Sequence, residues 1–268
     1  MFKLACELRL LFGIFMWSTL ASGGLLNAED AKESAELPRI ALCNPLLVES
    51  GTKTELVIRG WHLSDATEVK CDLEDATITI LKQEAAPVPG RQDAKEIGDT
   101  QLRVEITIPA VETSRQMNLV VKTPAGESEP HTFHVGAQSQ VFREKEPNNG
   151  FQQSQSLSLP AIITGDIQSD REVDVYLLEA KQGQRLKADI LARRYGSALD
   201  SILTLYAEDG EILESIDDVE SISGSANSDS MLEVILPRSG RFFLCIQDAH
   251  DRGGPAHPYI INVELNEQ

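Results

Sequence analysis

The chain has 268 residues, of which 41% are hydrophobic and 25% charged, and its formal net charge is −18. This length accommodates two domains with hydrophobic cores, and the composition excludes a chain that is disordered throughout. The strong negative charge excludes nucleic acids and anionic membrane surfaces as general partners, because both would repel it.

The N-terminal residues predict a signal peptide and therefore export. Lys3 and Arg9 provide a basic start, an apolar run covers 10–20, and small residues follow, with Ala28 as the last candidate cleavage point. We assign 1–28 to the signal peptide and place the mature chain in the periplasm, at the cell surface or in the extracellular medium. The alternative is an uncleaved membrane anchor, although the apolar run is short for a membrane span.

Three cysteines lie outside this segment, at Cys43, Cys71 and Cys245. Export permits disulfide bonds, and Cys43 and Cys71 fall within one predicted domain, so a bond between them stays open. All three adjoin apolar residues, which favours small buried thiols instead. Their spacing does not match a metal site.

Residues 38–136 show the alternation of apolar and polar side chains that is typical of β-strands. The clearest predicted strands cover 55–59, 102–108, 117–122 and 132–135. Residues 83–99 include Pro87, Pro89 and Gly90, and we predict a long loop there. Short strands separated by turn residues predict an immunoglobulin-like sandwich for this region.

The start of this region also resembles TIG-type immunoglobulin-like domains. The shared features are a proline before a glycine turn, and a strand that ends in glycine before a short hydrophobic step. They lie at Asn44, Pro45, Gly51, 56–60, Leu63 and Ala66. The resemblance covers roughly the first hundred residues of the mature chain, about one domain. It implies a spacer or a docking module.

Residues 144–150, Glu-Lys-Glu-Pro-Asn-Asn-Gly, are the most informative stretch of the sequence, and we call them the acidic motif. Four of their side chains carry carboxylate or amide oxygens, which are the ligands of a hard cation such as calcium. Pro147 fixes its own φ and holds the backbone extended. The alternative is a polar interdomain linker, since Pro, Asn and Gly also mark turns.

Residues 144–268 contain about eight further strand candidates separated by turn signals. Alternation is clearest at 173–177, 186–190, 203–205, 232–236, 242–246 and 259–265. This number and spacing predict a jelly-roll sandwich. The predicted fold class is therefore all-β, with two β-sandwiches, an N-terminal immunoglobulin-like domain and a C-terminal jelly-roll-like domain.

The second region resembles the bacterial pre-peptidase C-terminal domain in the order and spacing of its motifs. The matching segments are the acidic motif, 165–167, 172–176, 197–205, 209–210, 236–242, and 248–255 with Tyr259. The stretch 248–255 resembles a variant found in secreted bacterial proteins that pair this domain with an immunoglobulin-like one. The resemblance covers roughly 125 residues, the size of a whole domain.

Some members of that family, including collagen-binding modules of secreted collagenases, bind calcium between the acidic motif and an acidic pair on a strand. The resemblance implies six calcium ligands here: Glu144, Glu146, Asn148, Asn149, Glu172 and Asp174. Residues 172 and 174 would share one strand face, so both carboxylates would point to the same side. Asn149 and Glu172 each stand where the family usually has aspartate, which implies the weaker affinity of extracellular modules. The alternative is a solvated acidic patch.

The sequence contains neither the G-x-S-x-G nucleophile elbow nor the H-E-x-x-H zinc helix. His250 and His257 flank a Gly-Gly turn with Asp248 and Asp251 nearby, but histidines near turns are typically solvated surface groups. Tyr195 follows two arginines and is the one aromatic residue predicted to be exposed, unless it covers the end of the core.

We therefore predict a non-catalytic exported binding or accessory module, possessing a calcium site and acting on an extracellular protein or polysaccharide. The alternative is an accessory or remnant domain of a secreted peptidase.

Overall fold

The computed structural model describes residues 36–137, 141–217 and 229–267, so the predicted signal peptide lies outside the described residues. Within them the chain is nearly all β, which confirms the predicted fold class. Their helical part consists of one four-residue helix, α1 Ala94–Ile97, and a three-residue 3-10 turn, η1 Arg193–Tyr195. Neither is long and apolar enough to cross a membrane.

The first sandwich consists of two sheets, which we call A and B. Its strands are β1 Arg39–Asn44, β2 Leu47–Glu49, β3 Lys53–Trp61, β4 Glu68–Cys71, β5 Thr77–Ala85, β6 Thr100–Thr107, β7 Arg115–Thr123, β8 Gly126–Glu127 and β9 His131–Gly136. Sheet A has the order β1-β3-β6-β5, and sheet B has the order β2-β9-β7-β4, with β8 beside β7. All four strands predicted for this region are confirmed.

The core of the first sandwich lies between its two sheets. Leu56, Ile58 and Val104 of sheet A pack in one cluster with Leu119 and Phe133 of sheet B. Each is no more than 1% exposed. They are alternate residues of their strands, and side chains of a strand point to opposite faces in turn, so one face of each sheet supplies the core.

The predicted long loop at 83–99 is wrong over about half of its length. β5 continues to Ala85, and α1 occupies residues 94–97. The physical reason is Arg59, a fully buried residue of β3 whose guanidinium donates hydrogen bonds to the carbonyls of Pro87, Ile97 and Gly98. These bonds fix both ends of the connection to the sandwich.

The second sandwich consists of sheets C and D. Its strands are β10 Val141–Arg143, β11 Gln155–Ser156, β12 Ala161–Asp166, β13 Val173–Ala180, β14 Arg185–Leu191, β15 Ser201–Ala207, β16 Ile212–Ile216, β17 Met231–Ile235, β18 Gly240–Asp248 and β19 Pro258–Asn266. Sheet C has the order β10-β12-β19-β14-β17, and sheet D has the order β11-β13-β18-β15-β16. The six clearest strand predictions are confirmed. β10 and β11 are short parallel edge strands that alternation does not reveal.

Buried side chains from sheets C and D form the larger core, which includes Ile163, Ile190 and Ile261 on one side and Leu205 and Leu244 on the other. The two sandwiches are also joined to each other. The domain limits at 38–136 and 144–268 remain a prediction for this reason.

Two apolar clusters connect the sandwiches. In one, Leu46 and Leu47 of the first sandwich pack with Leu191 and Ile260 of the second. In the other, Leu42 and Ile97 pack with Ala256. All seven are less than 10% exposed, so the contact is a buried surface rather than a flexible tether.

Tyr195 belongs to this interface. Its ring meets that of His134 edge-on at a centroid distance of 4.3 Å, and its hydroxyl accepts a hydrogen bond of 2.6 Å from Gln116. It is half-buried and packs against the cluster of Leu191 and Ile260, so the prediction of an exposed aromatic is wrong and the alternative, a residue that covers buried apolar side chains, is the better description.

The three described cysteines are free thiols. Cys43 and Cys245 are buried and Cys71 is half-buried, which confirms the interpretation as unpaired thiols. Burial raises the pKa of Cys43 far above its ordinary value and that of Cys245 to about 12. Neither forms a thiolate near neutral pH, so neither is a nucleophile.

Candidate metal centre

The acidic motif closes one side of the second sandwich. It leaves β10 at the edge of sheet C, where the Glu144 N–H donates to the Thr164 carbonyl, and it ends beside sheet D, where the Asn148 carbonyl accepts from the Val175 N–H. Its backbone thus bridges the edges of β12 and β13. This path places the side chains of the motif next to the first residues of β13.

Three carboxylates meet there. Glu144, Glu146 and Asp174 each offer an oxygen that lies within 4.8 Å of the oxygens of the other two. Two ligands that both lie 2.3–2.6 Å from one calcium ion are at most about 5 Å apart. The spacing of these three oxygens therefore fits a single calcium ion.

Asn148 links two of these carboxylates and is fully buried. Its side-chain nitrogen donates to Glu144 Oε1 at 2.9 Å, and its backbone N–H donates to Glu146 Oε2 at 3.0 Å. Its own Oδ1 is buried and has no hydrogen-bond partner among the described residues. Asn148 thus donates to the cluster from both its side chain and its backbone, while its side-chain oxygen accepts no hydrogen bond from the described residues.

Asp174 is also fully buried, and only one of its oxygens accepts a hydrogen bond. Oδ2 lies 2.7 Å from the hydroxyl of Tyr259, while Oδ1 is buried without a donor. The Tyr259 hydroxyl also lies 3.0 Å from Glu144 Oε1 and 2.6 Å from the Tyr176 hydroxyl. A phenol has one hydrogen, so it cannot donate to both carboxylates at once. The two carboxylates therefore compete for one phenolic hydrogen, and a further proton or a cation would relieve this competition.

The electrostatics support this conclusion. Burial, followed by the charge of Glu144, raises the pKa of Asp174 to about 10. Glu146 is exposed as a whole, but desolvation of its carboxylate beside the cluster, with contributions from Glu172 and Glu144, raises its pKa, although the hydrogen bond from Asn148 opposes the shift. Without a cation, the carboxyl group of Asp174 is neutral at pH 7, because its charged form would be both desolvated and repelled.

Gly165 makes the close approach possible. It lies in β12 directly opposite Tyr259 of β19. A Cβ at this position would lie 2.5 Å from the Tyr259 hydroxyl and 2.9 Å from Glu144 Oε2. Any larger residue would displace the two groups that hold the cluster together.

The remaining two predicted ligands are less closely associated. Glu172 lies one residue before β13, and its Oε2 accepts hydrogen bonds from the backbone and hydroxyl of Ser169. It contacts Glu146 at the rim of the cluster. Asn149 is exposed, and no hydrogen bond or carboxylate contact among the described residues connects it to the cluster. The structure brings together Glu144, Glu146, Asn148 and Asp174, and ion binding by any of the six stays a prediction.

Sequence reasoning missed the role of Tyr176 and Tyr259. Both are fully buried, and both project inward from strands of opposite sheets. A buried tyrosine hydroxyl needs a polar partner, so an inward-facing tyrosine in a strand was the available signal.

An aromatic surface lies on the outer face of sheet D, immediately after the acidic motif. Phe151 stacks on Phe243 with a centroid distance of 4.4 Å and meets Tyr206 edge-on at 5.3 Å. Phe151 is 40% exposed, and Val173 and Leu177 extend the apolar area. We call these five residues the aromatic surface. The sequence analysis did not identify it, because its members come from three strands and a loop.

The prediction of solvated histidines holds for His250, which is exposed, and is wrong for His257. His257 has no solvent exposure, and its Nε2 lies 4.0 Å from Asp248 Oδ2. Asp248 accepts hydrogen bonds from the backbone N–H groups of Asp200, His250 and Arg252. Its carboxylate thus organises the turn that follows β18, and His257 cannot touch a substrate without a rearrangement.

No family model matches the chain, and no curated protein is similar to it. Solved structures with partial similarity include the pre-peptidase C-terminal domain of a collagenase from Bacillus anthracis, with 12% identity, 45% of this chain and 100% of that chain covered, and a TM-score of 0.31. The periplasmic inhibitor of g-type lysozyme from Aeromonas hydrophila has 14% identity and a TM-score of 0.32, with 47% of this chain and 98% of that chain covered. SGBP-B of the Bacteroides ovatus mixed-linkage glucan utilization locus has 10% identity and a TM-score of 0.28, with 85% of this chain and 75% of that chain covered. Similarities at this level identify neither a family nor a function.

Proposed function

We propose that this chain is a non-catalytic exported binding module whose second sandwich is of the pre-peptidase C-terminal type and is stabilised by calcium. The observation that carries the proposal is a pair of buried oxygens, Asn148 Oδ1 and Asp174 Oδ1, that accept no hydrogen bond beside three clustered carboxylates. Buried acceptors without partners are costly, and calcium binds six to eight oxygens. An ion would satisfy both oxygens and replace the proton that the cluster otherwise needs.

Each residue has a defined role in this proposal. Glu144, Glu146 and Asp174 supply the charges, and Asn148 supplies a neutral oxygen. Tyr259 holds Asp174 in place from the core side. The ion supplies positive charge that offsets the mutual repulsion of the carboxylates, and it attaches the acidic motif to β13. The affinity expected for three carboxylates and an amide is that of an extracellular module.

Isothermal titration of the full chain with calcium chloride tests the metal site. We expect Glu146→Gln to weaken binding at least tenfold, because it removes one of three charges. Glu264→Gln removes an exposed carboxylate from β19 without touching the cluster, and it should leave the affinity unchanged. If the wild-type chain binds no calcium at tens of millimolar, roughly the upper end expected of extracellular modules, the polar linker or acidic patch is the correct interpretation.

The aromatic surface is the proposed contact with an extracellular protein or polysaccharide. Exposed aromatic rings provide a large apolar contact area and are enriched where proteins bind partners. Phe151 follows the acidic motif directly, so an ion that fixes the motif also fixes this ring. The proposal therefore includes calcium-dependent presentation of the surface.

Retention of the chain on immobilised gelatin and on insoluble cellulose, with calcium and with a chelator, tests this contact. Phe151→Ala should reduce retention, and Lys187→Ala on the outer face of sheet C should not. Equal retention of Phe151→Ala and wild type would assign the contact to another face. Cleavage of casein or gelatin by the purified chain would overturn the non-catalytic assignment and favour a peptidase-derived role.

A further inference from the structure

The first sandwich reaches the metal centre through two consecutive hydrogen bonds. Asn44, the last residue of β1, donates from its side-chain nitrogen to Asp166 Oδ1 at 2.6 Å. Asp166, the last residue of β12, donates from its backbone N–H to Glu144 Oε2 at 2.9 Å. One residue thus lies between the first sandwich and a carboxylate of the cluster.

Asn44 is held in position by the fold around it. It pairs with Val57 of β3, and the residues that follow it, Leu46 and Leu47, lie in the apolar interface with the second sandwich. Its side chain also lies 3.4 Å from the Pro255 carbonyl. The hydrogen bond to Asp166 is therefore made from a fixed strand end, and it orients a half-buried carboxylate.

A second connection runs through the backbone. Glu144 follows directly after β10, and Val141 of that strand packs in the interface cluster with Leu47. Arg143 donates to the hydroxyl of Thr54 in β3 at 3.4 Å. Two groups that position Glu144 are thus anchored to the first sandwich: β10, which directly precedes it, and Asp166, whose backbone N–H binds its carboxylate.

We propose that the first sandwich is a structural part of the metal centre, and that Asn44 is a positioning residue that holds Glu144 in its ion-binding place through Asp166. This inference rests on the proposed calcium site. Outer partners that orient metal ligands typically change metal affinity by about 10- to 100-fold. Coupling of this kind is reciprocal, so calcium also strengthens the contact between the two sandwiches.

Calcium titration of the full chain provides the first test. Asn44→Ala should weaken calcium binding about tenfold, the lower end for outer partners, because it acts through one intervening residue. The matched control is Gln116→Ala, which removes an interface hydrogen bond to Tyr195 remote from the cluster. That variant should bind calcium within about twofold of wild type if the effect is specific to the Asn44 connection.

A double exchange separates positioning from general loss of stability. Asn44→Asp combined with Asp166→Asn restores the hydrogen bond with donor and acceptor interchanged. The double variant should recover most of the calcium affinity that Asn44→Ala loses. Failure to recover it, in a protein that melts like wild type without calcium, would contradict a positioning role for this bond.

Trp61 provides the reciprocal readout. It is the only tryptophan among the described residues, it ends β3 of the first sandwich, and its indole donates to the Ala94 carbonyl. Trp17, the other tryptophan of the sequence, is replaced by phenylalanine so that Trp61 is the sole source of tryptophan fluorescence. In this chain calcium should raise the unfolding midpoint reported by Trp61. The rise at the same calcium concentration should be smaller when Asn44→Ala is added.

The outcomes distinguish the two proposals. If wild type binds no calcium, the proposed metal centre fails and this inference fails with it. If wild type and Asn44→Ala bind calcium with equal affinity, the metal centre stands and the role of the first sandwich is wrong.

Discussion

Replacement of Asp174 by asparagine isolates the charge of the metal centre from its shape. The two side chains have nearly the same size. Burial and the neighbouring Glu144 raise the pKa of Asp174 to about 10, so its carboxyl group is already neutral at pH 7 when no ion is bound. An amide in its place can donate to Glu144 as the protonated acid does. We therefore expect Asp174→Asn to leave the melting temperature nearly unchanged in a chelator.

The effect should be large when calcium is present. A ligand at about a hundredfold excess over its Kd stabilises the native state by about 2.7 kcal/mol. For a protein of this size, 1 kcal/mol corresponds to about 2–4 °C, so wild type should gain about 5–11 °C. Asp174→Asn should gain almost nothing, because the ionised carboxylate cannot form.

Differential scanning calorimetry in chelator and in calcium measures both effects. The control is Glu179→Gln, which removes an acid from the opposite face of the same strand, about 17 Å along β13. It should keep the full calcium response. A calcium response that survives in Asp174→Asn would refute the assignment of Asp174 as a ligand. A large loss of stability in the chelator would refute the argument that the carboxyl group is protonated.

Three further predictions concern pH and packing. In the folded chain the pKa of Asp166 is raised to about 6 and that of Asp174 to about 10. Above about pH 4 the unfolded chain therefore binds fewer protons than the folded chain, so without calcium the free energy of unfolding should fall as pH rises. Urea titrations at pH 5 and 8 measure the difference, and saturating calcium should reduce it. In thermal melts, Gly165→Ala should destabilise the chain by about 1–3 kcal/mol and abolish the calcium response, because its Cβ would overlap Tyr259. The control Gly150→Ala adds a Cβ in open space and should have neither effect. Burial lowers the pKa of His257 to about 4, so this residue makes a contribution of opposite sign, which reduces the free energy of unfolding as pH decreases from about 6.5 towards 4. His257→Gln should remove this contribution, and a pH dependence that is unchanged in the variant would contradict its assignment to His257.

The sequence predicted those features whose signal is local. Alternation in 186–190 indicates which side chains face the core, and this stretch is a strand with that orientation. In 173–177 alternation indicates the strand but not the face, because Tyr176 lies in the core while Val173 and Leu177 belong to the aromatic surface. Glu144, Glu146 and Asn148 lie within five residues, so their proximity was also predictable. The chain bends at Glu146 instead of staying extended, so strand alternation does not explain which of their side chains converge.

Features that depend on strand register were not predictable from local pattern. Gly165 and Tyr259 are directly opposite each other in sheet C, although 94 residues separate them in the chain. Neither residue alone indicates that a hydroxyl will occupy the space above the glycine. The loop at 83–99 was mispredicted in the same way, because its proline and glycine content reflects local preference while Arg59 fixes its conformation from another strand.

The contact between Asn44 and Asp166 joins residues 122 positions apart, and it explains why a metal centre built from one sandwich can depend on the other. Asp166 is a half-buried acid beside two further carboxylates, Glu144 and Glu172, and their charges add to desolvation in raising its pKa. A cation at the cluster would offset that repulsion, so Asp166 would remain ionised and would bind the Asn44 amide more strongly. The same ion that attaches the acidic motif to β13 would then strengthen the junction with the first sandwich, and both effects follow from one change in local charge.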